Sequence, residues 1–148
     1  MEALQEMVKA RGELLFVLRG PEGDVRARIR RRNLIVTVGK NHMADQMSDS
    51  GETAMSHIAI GTGTTAPVVG NTTLETEVAR AALDSKTQNN NVVSYVATFG
   101  AGVGTGAITE SGILNAAAAG TLLNRVTFAA INKGAADSLE VTFTVTFT

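Results

Sequence analysis

The sequence has no cysteine and no tryptophan, a single tyrosine and only two prolines in 148 residues. Without cysteine, disulfides, thiolate metal sites and cysteine nucleophiles are excluded, and the redox compartment is left open. With 4% aromatic residues there are few flat faces on which a base or a sugar ring could stack. Long apolar runs are absent as well. Stretches such as Ala116–Ala119 fall far short of the roughly 20 residues that span a bilayer, so a soluble protein is expected, with no membrane partner. The opening MEALQEMVKARGELLF lacks the basic-then-apolar order of a secretion signal, and the expected place of synthesis and first action is the cell that makes it.

Neither sign of charge dominates the whole chain, whose net charge is -1, but the two ends differ. Residues 1–40 carry nine of the 13 Lys and Arg and five of the 14 acids, a balance of +4, and residues 41–148 carry the complementary -5. A basic N-terminal region followed by an acidic body suits contact with a charged partner or with a neighbouring copy. The length fits one domain, or one domain with an arm, and is enough to bury a core without covalent staples.

What is present is mostly strand and turn. Met1–Arg11 suits a short amphipathic turn or an arm. Leu14, Phe16 and Leu18 then share one side of a strand, and Gly20-Pro21-Glu22-Gly23 supplies turn chemistry. Val25, Ala27 and Ile29 alternate with Arg26, Arg28 and Arg30, which completes a β-hairpin with three arginines on one face, and Arg31 and Arg32 extend the charge. Asn33–Val38 reads as a strand buried on both sides. A helix is expected between Lys40 and Asp49, stopped by Ser48-Asp49-Ser50-Gly51, and a second over Thr73–Leu83, with Thr73 as N-cap and Glu75 and Glu77 in its first turn. Further strands are expected at Met55–Ile60, Val92–Phe99, Ala107–Leu114 and Leu122–Ala130, with a glycine loop at Gly100–Gly106. The clearest pattern is the last: Leu139, Val141, Phe143, Val145 and Phe147 alternate with Glu140 and four threonines. The expected fold is mainly β, an antiparallel β-sandwich or jelly-roll-like domain with one or two short helices. Residues 1–32 are the arm and basic hairpin and 33–148 the body.

Candidate chemistry is sparse. Gly61–Ala66 and Gly102–Ala107 both fit the loose G-x-G-x-x-A form, but a phosphate loop works by opening a helix whose amides face the anion, and Pro67 or a strand-like run follows instead. Only His42 and His57 could serve as imidazole ligands or bases, and His42 and Asp45 have the spacing of a shared helix face, yet no second cluster of ligands accompanies them. Glu75 and Glu77, two apart, do not share a helix face. No catalytic residue, cofactor or metal ligand is therefore assigned. The charged feature that stands out is Arg26, Arg28, Arg30, Arg31 and Arg32. Five guanidiniums so close repel unless something anionic opposes them. Contact with an acidic protein neighbour is the preferred reading, because the rigid fork of arginine pairs well with carboxylates, a solvated strand face is the next, and nucleic acid is disfavoured by the slightly negative chain and the scarcity of aromatics.

Several segments together resemble structural proteins of tailed-bacteriophage virions: Asn33–Asn41, Ile58–Pro67, Thr73–Arg80, Tyr95–Phe99 and Ile108–Asn115, within a resembling region of roughly residues 33–148. The resemblance implies a non-enzymatic part of the particle. The first expectation is a capsid decoration (cement) protein that binds the major capsid protein or other virion proteins on the head surface as a homo-oligomer, with a trimer as the case considered. The alternative is a tail, tail-fibre or head-fibre component, or a host-surface-binding β-sandwich module. A small enzyme ranks last.

Overall fold

The computed structural model describes residues 6–148. Among these, nine strands and one helix follow one another as β1 (Ala10–Arg19), β2 (Val25–Ile35), α1 (Thr37–Ser48), β3 (His57–Gly61), β4 (Glu77–Ala82), β5 (Ser85–Asn89), β6 (Val92–Phe99), β7 (Gly106–Leu114), β8 (Leu122–Lys133) and β9 (Ser138–Phe147). All neighbours pair antiparallel, in the order β4-β3-β7-β8-β2-β1-β9-β6-β5. The sheet curls so that its two halves face each other, as the sandwich expectation requires. β2 is the corner: its length up to Asn33 pairs with β1, and its last residues, Leu34 and Ile35, pair with Arg125 and Asn124 of β8.

The hairpin forms because the alternation in both strands agrees with the turn between them. Gly23, at φ 85°, takes the left-handed step that an L side chain resists, and its N–H donates to the Gly20 carbonyl at 3.0 Å. Leu14, Phe16 and Leu18 of β1 then enter the main core beside Leu139, Val141, Phe143 and Val145 of β9. From the opposite half come Ile58 and Ile60 of β3, Ile108 and Ile113 of β7, and Val126, Phe128 and Ile131 of β8. Each large side chain so buried contributes about 1.5–3 kcal/mol. Phe16 and Phe128 meet across the interior with ring centroids 4.3 Å apart.

The hairpin is continuous with the rest of the sheet. β1 pairs with β9 over ten positions, from Ala10 opposite Phe147 to Arg19 opposite Ser138, so the sheet runs straight through the boundary drawn at residue 32. Of the turn or arm expected over Met1–Arg11, residues 1–5 lie outside the described residues. Glu6–Lys9 carries neither helix nor strand, and Lys9 exchanges two backbone hydrogen bonds with Thr148, at 2.8 and 2.9 Å.

Three local expectations need correction. The strand expected to Val38 ends at Ile35, and α1 begins at Thr37 rather than Lys40. The Val36 and Thr37 amides are taken by the carbonyls of Leu123 and Val69, which turns the chain away from the sheet despite its β-branched residues. The helix expected at Thr73–Leu83 is instead a bent segment followed by strand β4, which pairs with β3 from His57 opposite Ala82 to Gly61 opposite Glu77. The amides of Glu75 and Thr76, which would have opened that helix, donate to the buried carboxylate of Glu110. Strand β5, Ser-Lys-Thr-Gln-Asn, is exposed at every position, so it has no apolar alternation by which to be recognised. The end of α1 is as expected: Asp49 adopts a left-handed conformation and its N–H returns to the Asp45 carbonyl.

Candidate interaction surface

The five arginines of β2 are all exposed, but they do not act as one face. Strand alternation puts Arg26, Arg28, Arg30 and Arg32 on the outer side, and Arg31 on the side of Ala27 and Ile29. Arg26 is held by Asp137 at 2.8 Å and Asp24 at 3.4 Å, and Arg30 by Glu13 at 2.5 Å. Arg28, Arg31 and Arg32 have no carboxylate within ion-pair distance among the described residues. Arg31 makes one contact to the Arg30 carbonyl at 3.4 Å. Among the described residues, the acids of this region therefore pair with two of the five arginines.

On the outer side of the other half, the glycine–threonine segment after β3 folds over β7 and β8. Beneath it Val36, Ala59, Leu74, Leu114 and Leu122 form a second small core, and beside that core lie Glu110 and Arg125, 0% and 2% exposed. Glu110 accepts from the amides of Gly63 (3.0 Å), Glu75 (3.0 Å) and Thr76 (2.7 Å) and from Arg125 Nε (3.0 Å). Arg125 reaches on to Asn71 Oδ1 at 3.2 Å and stands 3.7 Å from Glu75. The glycines are required by this crowding: a Cβ on Gly63 would lie 2.6 Å from the Glu110 carboxylate and 2.5 Å from the Glu75 Cβ. The loop does cradle an anion with backbone amides, and the anion is the protein's own.

The other sequence candidates are occupied internally. His42 is buried, and its Nδ1 meets Glu52 at 3.0 Å. Asp45 accepts from the Glu52 amide at 3.0 Å, so this pair fastens α1 to the following loop. Hydrogen bonds from Thr121 and His42 hold the Glu52 carboxyl below the usual carboxylate range. His57 bonds its neighbour Ser56 at 2.8 Å. No group of three or more potential metal ligands occurs among the described residues. Glu77 pairs with Arg80 at 2.7 Å, whereas Glu75 accepts from the Thr65 amide at 3.1 Å, and its carboxyl is held below the usual range chiefly by the Thr65 side chain and then by the Thr65 and Thr64 amides. The second glycine match, Gly102–Ala107, runs directly into β7, with Gly102 and Gly104 at φ 77° and 65°. An apolar recess of about 180 Å³ opens between α1 and the inner side of β6 and β9, with Met43, Tyr95 and Phe147 in its walls. Burial raises the pKa of the Tyr95 hydroxyl there.

An exposed cationic strand on a rigid β-framework, with the carboxylates and histidines above spent on internal bonds, has the form of an assembly part. Comparison with known families agrees: the profile described as phage tail-collar fibre protein, N-terminal, matches residues 31–147. The chain belongs to this family. No curated protein and no solved structure matches it.

As a member of the tail-collar fibre family, the chain is a structural component of a tailed-phage virion, which associates with other virion proteins. The family describes fibre proteins, so it supports the tail or fibre alternative rather than the capsid decoration role that the sequence resemblance put first. The matched range starts at Arg31. β1 and most of the arginine strand precede it, although they sit in the middle of the sheet. Glu110 and Arg125 were missed by sequence reasoning. A signal existed in the Thr-Glu-Ser stretch inside an otherwise buried β7, where a charge between apolar positions implies an opposite charge nearby.

Proposed function

We propose that this chain is a non-enzymatic joining domain of a phage tail fibre, which fastens the fibre to a neighbouring virion protein through the arginine strand. The observation that carries this reading is the family match over residues 31–147. The structure adds physical support. The sandwich offers a stiff base, and Arg28, Arg31 and Arg32 on its corner strand, which meet no carboxylate among the described residues, can make bidentate bonds with carboxylates, which fix orientation better than lysines would. Assembly through charged surface of this kind gives register and partner choice, and apolar burial around it gives the affinity.

The test is location and copy number. Gold-labelled antibody against the chain should mark the tail or its fibres, and quantitative mass spectrometry should find about a dozen copies or fewer per particle, in keeping with closed rings of low symmetry. Labelling spread over the whole head, with copies in the hundreds, would reject the proposal and restore a decoration role. Turnover by the pure protein in a broad hydrolase screen would reject its non-enzymatic part.

A further inference from the structure

Over most of its length β2 is paired on one side only. Residues from Val25 to Asn33 bond to β1, whereas β8 meets β2 only at Leu34 and Ile35. Beyond that corner β8 runs with β7, from Val126 opposite Ser111 to Lys133 opposite Gly106. The outward edge of β2 therefore presents a row of backbone N–H and C=O groups with no strand partner among the described residues. Such a row is a template for one more strand.

The side chains on this edge state what that strand must carry. Among the described residues Arg28 and Arg32 lie on the outer side without carboxylate partners, and on the other side Ala27 and Ile29 are half-buried against the main core and are followed by the exposed Arg31. An incoming strand with acids on one face and apolar residues on the other would satisfy both, since opposite charges on neighbouring strands attract and alternate positions share a face. Past Asn33 the edge reaches a recess of about 290 Å³, rimmed by Lys9, Arg11, Arg32 and Lys40, with no acidic side chain in its lining. The Asn33 amide there is buried, and both its polar atoms lack a hydrogen-bond partner. The positive charge thus continues beyond the strand. A second copy meeting this edge with its own would set arginine against arginine, and like charges directly opposite are destabilising. The same edge of a second copy is therefore a poor occupant.

We propose that β2 accepts an extended segment of a neighbouring virion protein as an added strand, and that the segment alternates acidic with apolar residues. This rests on the assembly role proposed above. Main-chain bonds would give the complex its affinity, while Arg28 and Arg32 select for acids.

The experiment uses the full chain and a fluorescein-labelled, end-blocked peptide of alternating Glu and Val, with a Lys–Val counterpart and a mixed-sequence DNA duplex as controls. Fluorescence anisotropy should show saturable binding of the Glu–Val peptide, at least about tenfold tighter than the Lys–Val peptide and weakened by salt. The exposed double variant Arg28→Glu/Arg32→Glu should keep its melting temperature and lose at least about tenfold in affinity. Hydrogen exchange should slow at alternate amides of residues 25–33 when the peptide is bound. No binding, binding without protection in β2, or tighter binding of the duplex would each overturn the proposal. If the peptide fails while antibody labelling still marks the tail, only the strand addition falls. If the peptide binds while labelling covers the head, only the tail location does.

Discussion

Glu110 and Arg125 form an ion pair sealed from water: Oε2 of Glu110 lies 3.0 Å from Nε and 2.9 Å from Nη2 of Arg125, and the two side chains are 0% and 2% exposed. The pair stands on adjacent strands, β7 and β8, and the carboxylate also gathers three amides from the segment that crosses over it. One charge pair thus decides the path of about fifteen residues between β3 and β4.

Removal of one partner leaves the other as an uncompensated buried charge. Glu110→Ala should destabilise the fold by about 3–5 kcal/mol, as for other broken buried pairs. In a domain of this size that is a fall in Tm of about 10 °C. Thermal and urea unfolding measure it, and limited proteolysis should now cut within residues 62–76. The double variant Glu110→Met/Arg125→Met should recover much of the loss, because an apolar pair leaves no stranded charge. A single-variant loss under about 1 kcal/mol would show that water or another group replaces the carboxylate.

Gly39 lies in α1 against the backbone of β8, where an added Cβ would sit 2.1 Å from the Leu123 carbonyl oxygen. Helix propensity favours alanine there by about 1 kcal/mol. Contact with backbone is not relieved by a rotamer change, so Gly39→Ala should instead destabilise by about 1–3 kcal/mol. Gly70→Ala is the control: its Cβ meets nothing within 4 Å, and the expected change is within about 0.5 kcal/mol. Equal denaturation midpoints for the two variants would contradict the close approach of α1 to β8.

Phe16 and Phe128 come from opposite halves of the curled sheet. Phe16→Ala should cost about 3–5 kcal/mol, since the site is fully buried and framed by strands that collapse poorly. Phe128→Ala, at a position 9% exposed, should cost less. Urea denaturation of the two variants and their double mutant gives the coupling. Strict additivity would mean that the halves are held together elsewhere.

Acid should loosen the joint between α1 and the loop that follows it. The folded pKa of Glu52 is lowered, chiefly by the Thr121 hydroxyl and then by His42, from the ordinary 4.5. The unfolded chain therefore takes up this proton more readily. The contribution of Glu52 is present in full above pH 4.5 and is lost as the pH falls through the lowered folded value. Denaturation midpoints of the parent and of Glu52→Gln, compared from pH 7 to pH 3, should converge at the acid end. A gap that stays constant would assign the effect to packing.

Much of the fold was legible where burial on one side writes itself into alternation. β9 shows this best: Leu139, Val141, Phe143 and Val145 are all buried, and the residues between them are not. The hairpin was legible because Gly20–Gly23 and the two flanking patterns agree. β5 was not, since an edge strand exposed on both faces has no pattern to show. The arginine cluster was visible as a row of charges, but which of its members have partners was not: Asp137 lies 111 residues from Arg26 in the sequence.

The amino-acid order alone set the class of the protein: strand and turn chemistry without cysteine, a run of arginines near the start, and segments that mark a phage structural family. These are local properties of residue type and spacing, and they survive in one dimension. Folding settled the rest. It turned the acidic Thr73–Leu83 stretch from helix to loop and strand, because the carboxylate of Glu110 captured the amides that the helix needed. It also made β2 a corner with one open edge, by bending Leu34 and Ile35 over to β8. Both outcomes depend on groups far apart in the chain, whose meeting is fixed by the burial of charge and by strand pairing rather than by any neighbouring residue.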